Sequence, residues 1–288
     1  MPKQPQAAFE SVFAFSPNRA TLGGTSYLIL GNRADGVGGT TGEPGPNLKS
    51  GNGDLSSSDL SLPGNGLQES GHPSLYLQGN CLIDCPPWDE GMAELLRERG
   101  GIDWFVITHR DGIATLKTVR DIQNAFNCRV IIQEQEAYLL PGLELNTFHR
   151  DLAIAADLQV IWTPGYSPGS SCVYLNRHGG ILFSGRHLLP TPEGKLRPQR
   201  QPKTFHWPRQ LQHVEVLRSR FTAHTLQHCC PGANVGFLKN SAKDTAANSG
   251  PPEGDTQGKG TQAPPKSGKA IYNTAYEQLT QSLETFKV

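Results

Sequence analysis

The stretch Ile161-Trp162-Thr163-Pro164-Gly165-Tyr166-Ser167-Pro168-Gly169-Ser170-Ser171 decides how this chain is read. It joins two apolar runs, Gln159 to Trp162 and Cys172 to Leu175, which read as strands closed by Gly or Pro punctuation. The tight loop between them is made of Thr, Pro, Gly and Ser around one bulky residue, Tyr166. A third strand-like run, Ile181 to Phe183, lies between Gly179-Gly180 and Ser184-Gly185-Arg186.

Working outward, Phe9 to Phe15, Thr25 to Leu30 and Leu75 to Asp84 also read as strands, and a β-hairpin interrupted by a long loop fits them. Trp88 to Arg99 has helical character. The run Trp104-Phe105-Val106-Ile107 is a buried strand that ends directly at Thr108-His109-Arg110-Asp111. Ile113, Leu116, Ile122 and Phe126 then recur at near-helical spacing, so that strand feeds a helix, and Arg129 to Ile132 is again a strand. Two segments contribute nothing to a core. Gly, Ser, Asn, Pro and Asp dominate Asn32 to His72, and Gly, Lys, Pro, Thr and Ala dominate Lys239 to Lys269. Such composition buries too little apolar area to offset chain entropy.

A chain of 288 residues admits one larger domain or two small ones. Its 26 basic and 26 acidic side chains cancel, so no global field draws it to nucleic acid or to an anionic membrane. No apolar run is long enough to span a bilayer, and Met1 to Gln6 leads into no uninterrupted apolar signal segment, so a cytoplasmic protein is expected. Six Cys are too dilute for a disulfide scaffold. Cys81 and Cys85 are four apart and Cys229 and Cys230 are vicinal, so neither pair has C-x-x-C spacing, and buried thiols are expected.

The Tyr166 loop resembles T-P-G-H-[ST]-x-G-S of the metallo-β-lactamase superfamily, in which the His is a metal ligand. Gly180 to Arg186 resembles that family's G-x-L-F-x-G-D, in which the Asp ligates the metals, and here the last position is Arg186. The order of strands, loop, helix and meander is also that family's. The resemblance implies an α/β fold, an αββα metallo-β-lactamase-like sandwich in which two mixed β-sheets are flanked by helices. It spans about Phe9 to Asn240 with the Asn32 to His72 segment set aside. The organisation expected is a domain over 1–238 with a flexible insertion at 32–72, a disordered linker at 239–269 and a C-terminal helix at 270–288.

The same resemblance makes the site degenerate. The family's T-H-x-H-x-D-H loop corresponds to Thr108-His109-Arg110-Asp111-Gly112-Ile113-Ala114, in which only His109 matches in register. Asp111 stands at the second His position. Downstream, Tyr166 replaces a His, Arg186 replaces the Asp, and Ala233 takes the last His position in His228-Cys229-Cys230-Pro231-Gly232-Ala233-Asn234. A catalytic zinc needs three protein ligands and an open position for water. The candidate site is therefore His109, Asp111, Tyr166 and Arg186, with no catalytic residue assigned and no metal or other cofactor expected. If any metal binds, His109 and Asp111 are its ligands.

Arginine cannot donate a lone pair and brings positive charge where a dication would sit. Arg186 is thus expected to stand in for the metal and to pair with Asp111 or Asp84. A rival reading has His109, Arg110, Arg186 and His187 bind a small anionic ligand, with Tyr166 supplying a hydroxyl. His224 and His228 are four apart, but the sequence after them fits a strand better than a zinc-binding helix. Ser184 lacks the first Gly of a nucleophile elbow, and the tract Gly36 to Gly53 lacks a phosphate-loop pattern. Ile271, Ala275, Leu279 and Leu283 give a C-terminal helix a narrow apolar stripe, to be covered by its own domain or by a partner. The expected function is a non-catalytic member of the superfamily, a binding or scaffold protein with an unknown protein partner or a small anionic ligand. The alternative is a metal-dependent hydrolase of ester, thioester or phosphoester substrates, with zinc or iron in a rearranged site.

Overall fold

Period-two alternation sorts the apolar side chains of this chain into three separate cores. In a computed structural model, which describes residues 4–32, 76–233 and 272–286, strands β1 (Gln6–Phe9), β2 (Val12–Ala14), β3 (Tyr27–Ile29), β4 (Cys81–Ile83), β5 (Trp104–Ile107), β6 (Arg129–Gln133) and β7 (Leu145–Phe148) lie side by side in chain order. The first four are antiparallel neighbours and the last four run parallel. The second sheet takes β8 (Leu152–Ala155), β9 (Leu158–Trp162), β10 (Ser171–Leu175), β11 (Ile181–Gly185), β14 (His228–Pro231) and β15 (Tyr272–Asn273). Its spatial order is β15-β14-β11-β10-β9-β8, parallel only between β11 and β14. A small hairpin, β12 (Leu189–Pro190) with β13 (Leu196–Arg197), stands apart.

Register decides which side chain enters which core. Ile29 pairs with Cys81 and Ile83 with Val106, and these face the second sheet, where Val160, Val173, Leu175, Ile181 and Phe183 meet them. The alternate residues Leu28, Leu82, Phe105, Ile107, Val130 and Ile132 point outward. They meet Met92, Leu95 and Leu96 of α1 (Glu90–Glu98) and Val119 and Ile122 of α2 (Leu116–Phe126). On the far side, Ile161, Cys172, Tyr174, Leu182 and Cys229 pack on Val214 and Leu217 of α3 (Trp207–Arg220) and on Ala275 and Leu279 of α4 (Ala275–Phe286). The layers are helix, sheet, sheet, helix: the αββα metallo-β-lactamase-like sandwich that the motifs imply. A one-residue slip in any of these strands would move its apolar set into the wrong core.

Several expectations need correction. The run Phe9 to Phe15 is not one strand; it breaks at Glu10-Ser11 into the β1–β2 hairpin. Strands β7 and β8 and helix α3 arise where the sequence reading assigned no element. The C-terminal segment begins with strand β15 before its helix, and Ala275 and Leu279 are buried against the chain's own second sheet and α3. Ile271, at the start of its expected apolar stripe, lies outside the described residues, as does Asn234. All six Cys are free and buried.

The expected linker at 239–269, and the expected insertion at 32–72 beyond Asn32, also lie outside the described residues. The residues flanking the insertion are fixed in detail. Asn32 donates to the Leu77 carbonyl at 2.8 Å, and Gly31 passes so close to Gly79 that a Cβ there would fall 1.9 Å from its carbonyl oxygen. Asn80 accepts from the Gly31 amide at 3.2 Å and donates to the carbonyls of Arg99 and Gly101 at 2.9 and 2.8 Å. Buried Asp157 accepts from the Leu77 amide at 2.8 Å and from Arg177 at 2.7 Å, while Arg177 also donates to the Leu30 carbonyl at 2.9 Å. Residues 30–32 and 77–80 are thus clamped together by groups of the described domain. On the expectation from composition that 32–72 is a flexible insertion, replacing residues 33–75 by a short Gly-Ser linker should keep the far-ultraviolet circular dichroism of the domain and raise its melting midpoint by a few degrees, since each halving of loop length returns about 0.6 kcal/mol of closure entropy.

Candidate functional site

The site forms where β4, β5, β9 and β11 end together. Asp84, just past β4, holds left-handed backbone (φ 56°) and turns its carboxylate onto Thr108, just past β5. One oxygen accepts the Thr108 amide at 2.8 Å and the other its hydroxyl at 2.7 Å. Cys85 donates to the Gly112 carbonyl at 2.9 Å, so the loop carrying His109 to Asp111 is tied to β4 at both ends. Gly112 is required here: a Cβ would sit 2.3 Å from the Asp84 oxygen and 2.9 Å from His109 Nδ1.

From β9, the Thr163-to-Ser170 loop delivers Tyr166, whose hydroxyl donates to Asp111 Oδ2. The other Asp111 oxygen accepts from Lys203 Nζ at 3.1 Å. Tyr166 and His109 also meet as tilted rings with centroids 5.5 Å apart. Burial, and then the neighbouring Asp111, push the Tyr166 hydroxyl well above its ordinary pKa, so it stays protonated and donates. Burial also raises the Asp111 carboxyl, but the Tyr166 hydroxyl, the His109 ring when charged and the Lys203 ammonium outweigh it and hold it below the usual carboxylate range.

Arg186, at the end of β11, is 2 % exposed, and its guanidinium donates to the carbonyls of Thr21 and Leu22 at 2.8 and 2.9 Å. The expected pairing takes a different form. Thr108 occupies both oxygens of Asp84, and Tyr166 and Lys203 occupy those of Asp111; the two acids reach Arg186 as Coulombic neighbours that oppose the burial disfavouring its charge. Sequence reasoning did not find Lys203, which comes from ninety-two residues further along the chain.

Of the four residues of the anion-pocket reading, Arg186 is a Coulombic neighbour of buried His109, Arg110 donates to the Lys203 carbonyl, and His187 has His213 of α3 nearby. His109, Tyr166, Arg186 and His187 are all at or below 2 % exposed. Gly165 explains part of this enclosure: at φ 151° it lies so tightly under α3 that a Cβ would fall 2.4 Å from the Gln210 Cα.

The residues present do not fit the zinc or iron that the resemblance implies. His109 keeps both ring nitrogens buried without a hydrogen-bond partner, as a ligand would, and burial lowers its pKa so that it is neutral near pH 7. Yet both nearby carboxylates already accept hydrogen bonds from other donors, and two cations, Lys203 and Arg186, stand beside them. Among the described residues no group of three or more His, Cys, Asp or Glu is arranged to hold a metal ion.

No family model and no curated protein matches the sequence. Among solved structures, the chain is similar to a metallo-beta-lactamase from Staphylococcus aureus subsp. aureus COL, at 15 % identity and TM-score 0.47 over 81 % of this chain and 58 % of that one. It is also similar to the BLEG-1 B3 metallo-beta-lactamase, at 14 % identity and TM-score 0.46 over 80 % of this chain and 96 % of that one. A third, TTHA1623 in a di-iron-bound form, is 18 % identical with TM-score 0.43 over 56 % of this chain and 87 % of that one. The chain thus spans under two thirds of the length of the first of these, and the metals and activities in those names belong to those proteins.

Burial, and then His213, push the His187 imidazole down to about 3. An unfolded imidazole titrates near 6.5, so between roughly those values the unfolded chain binds a proton that the native chain does not. Stability is therefore lost as the pH drops from about 6.5 toward about 3, by up to about 1.4 kcal/mol per pH unit for this residue. Urea unfolding of His187→Gln between about pH 6 and pH 4 is expected to show a slope of unfolding free energy against pH that is shallower than wild type by about one proton.

Proposed function

We propose that this chain is a degenerate, non-catalytic member of the metallo-β-lactamase superfamily that serves as a binding or scaffold protein in the cytoplasm. One observation carries the reading: the carboxylates that would complete a metal site already hold Thr108, Tyr166 and Lys203, and an arginine stands at the bridging acid's position. Of the candidate residues His109, Asp111, Tyr166 and Arg186, only His109 has unpaired lone-pair donors, short of the three ligands that activate a zinc-bound water.

The cytoplasmic assignment draws on six free thiols, whose pKa values burial raises, and on the absence among the described residues of any helix long and apolar enough to cross a membrane. The balanced charge disfavours nucleic acid as a partner. A protein partner suits the exposed aromatics Tyr138 and Phe205, which stand on segments hydrogen-bonded to the site loops. A small anionic ligand is the other partner class compatible with the basic groups of this region.

The unpaired nitrogens of His109 favour a second reading, a metal-dependent hydrolase of ester, thioester or phosphoester substrates with zinc or iron in a rearranged site. Elemental analysis of the purified protein separates the two. Under the first reading, zinc, iron and manganese stay far below one per chain, and hydrolysis of p-nitrophenyl acetate and bis-p-nitrophenyl phosphate equals that of buffer. Stoichiometric metal that is lost in His109→Ala would establish the second.

A further inference from the structure

The segment from Gln201 to Gln210 bonds the loops that follow β5, β9 and β11. Arg110 donates to the Lys203 carbonyl and Lys203 donates to Asp111 at 3.1 Å, so Lys203 is tied to the Arg110–Asp111 turn through both its backbone and its side chain. The Phe205 amide donates to the Tyr166 carbonyl at 2.9 Å and the His206 amide to the Gly165 carbonyl at 2.8 Å. Gln210, on the first turn of α3, donates from its side chain to the His187 carbonyl at 3.0 Å. The segment is also shaped by its own bonds. Gln201 donates to the Thr204 hydroxyl at 2.8 Å and Thr204 to the Gln201 carbonyl at 2.9 Å, a turn that presents Lys203 at its tip. The Lys203 side chain is 55 % exposed and that of Asp111 only 11 %, so the ammonium approaches from the solvent side of the pocket.

We infer that residues 201–206 are a built-in stopper over the buried His109, with Lys203 as its cationic tip, and that any ligand reaching His109 must first displace it. Backbone hydrogen bonds hold the segment to Tyr166 and Gly165, while Lys203 supplies a positive charge to Asp111 that a bound cation would otherwise bring. The ion pair is half open to solvent, so the latch weakens with salt. His206 caps α3, but Val214 and Leu217, which anchor the helix on the second sheet, lie beyond that cap, so the turn carrying Lys203 can lift without unfolding the sheet. This inference does not depend on whether the protein is catalytic: metal in the purified protein would sink the functional reading and leave the stopper standing.

Amide hydrogen exchange and diethyl pyrocarbonate labelling, both read by peptide mass spectrometry on the full chain, test it in Lys203→Met and Lys203→Arg. Lys203→Met is expected to speed exchange across residues 203–207 by about fivefold or more, and to speed modification of His109, while β5, β10 and β11 exchange as in wild type. His187, which lies under α3, should stay protected, and Lys203→Arg should restore the wild-type pattern. Iodoacetamide reports global unfolding separately, since all six thiols are buried in the native chain. The inference is overturned if Lys203→Met leaves both the segment and His109 as protected as in wild type, or if exchange rises evenly across both sheets.

Discussion

Asp84 fixes the centre of this molecule. A buried carboxylate is tolerated only when its oxygens are satisfied, and here both are taken by one residue, Thr108, through its amide and its hydroxyl. That double bond aligns the ends of β4 and β5 and sets the direction in which the next residues leave the sheet. His109 is buried as a consequence, Gly112 must lack a side chain to clear the carboxylate, and Asp111 is turned toward Tyr166. Without this clamp, the loops would have no common frame on which to converge.

The charges around that frame form a second theme. A pocket with two acids and one imidazole invites a cation, and this chain provides two of its own. Arg186 enters from below and is held by backbone carbonyls; Lys203 enters from above and is held by Asp111. Their modes of attachment differ as their chemistries do. The guanidinium spreads its charge over several donors and can bridge two carbonyls while buried, whereas the compact ammonium stays partly hydrated at the mouth. The acids therefore keep positive neighbours without a metal.

How much of this was legible beforehand follows from where the signals lie in the chain. Strands β3, β4, β5, β6, β10 and β11 are short apolar runs bounded by turn residues, and such runs mark themselves. His109, which keeps the residue type of the loop it resembles, and Asp111, Tyr166 and Arg186, which do not, sit inside recognisable loops, so they could be placed by register. Helix α3 escaped because few of its positions are buried, one of them the polar Gln210, and its other side chains are mostly charged or polar. Strand β7 mixes polar and half-buried residues, and β8, Leu-Ala-Ile-Ala, is a short, half-buried run; both lie at sheet edges, where the neighbouring strand supplies the pairing. Lys203 could not be read at all: nothing local distinguishes it from any surface lysine, and only the folded path of the chain brings it to Asp111.

Strand β15 has a consequence beyond its two residues. By pairing with His228 and Cys229 it covers the row of backbone donors and acceptors that β14 would otherwise present along the rim of the second sheet. That rim borders an apolar layer of Leu182, Leu226 and Cys229 beneath α4. A chain shortened before Tyr272 would therefore carry a sticky, strand-shaped border, ready to recruit a neighbour and nucleate assemblies. The two-residue strand ahead of α4 thus also guards this edge against pairing with another chain.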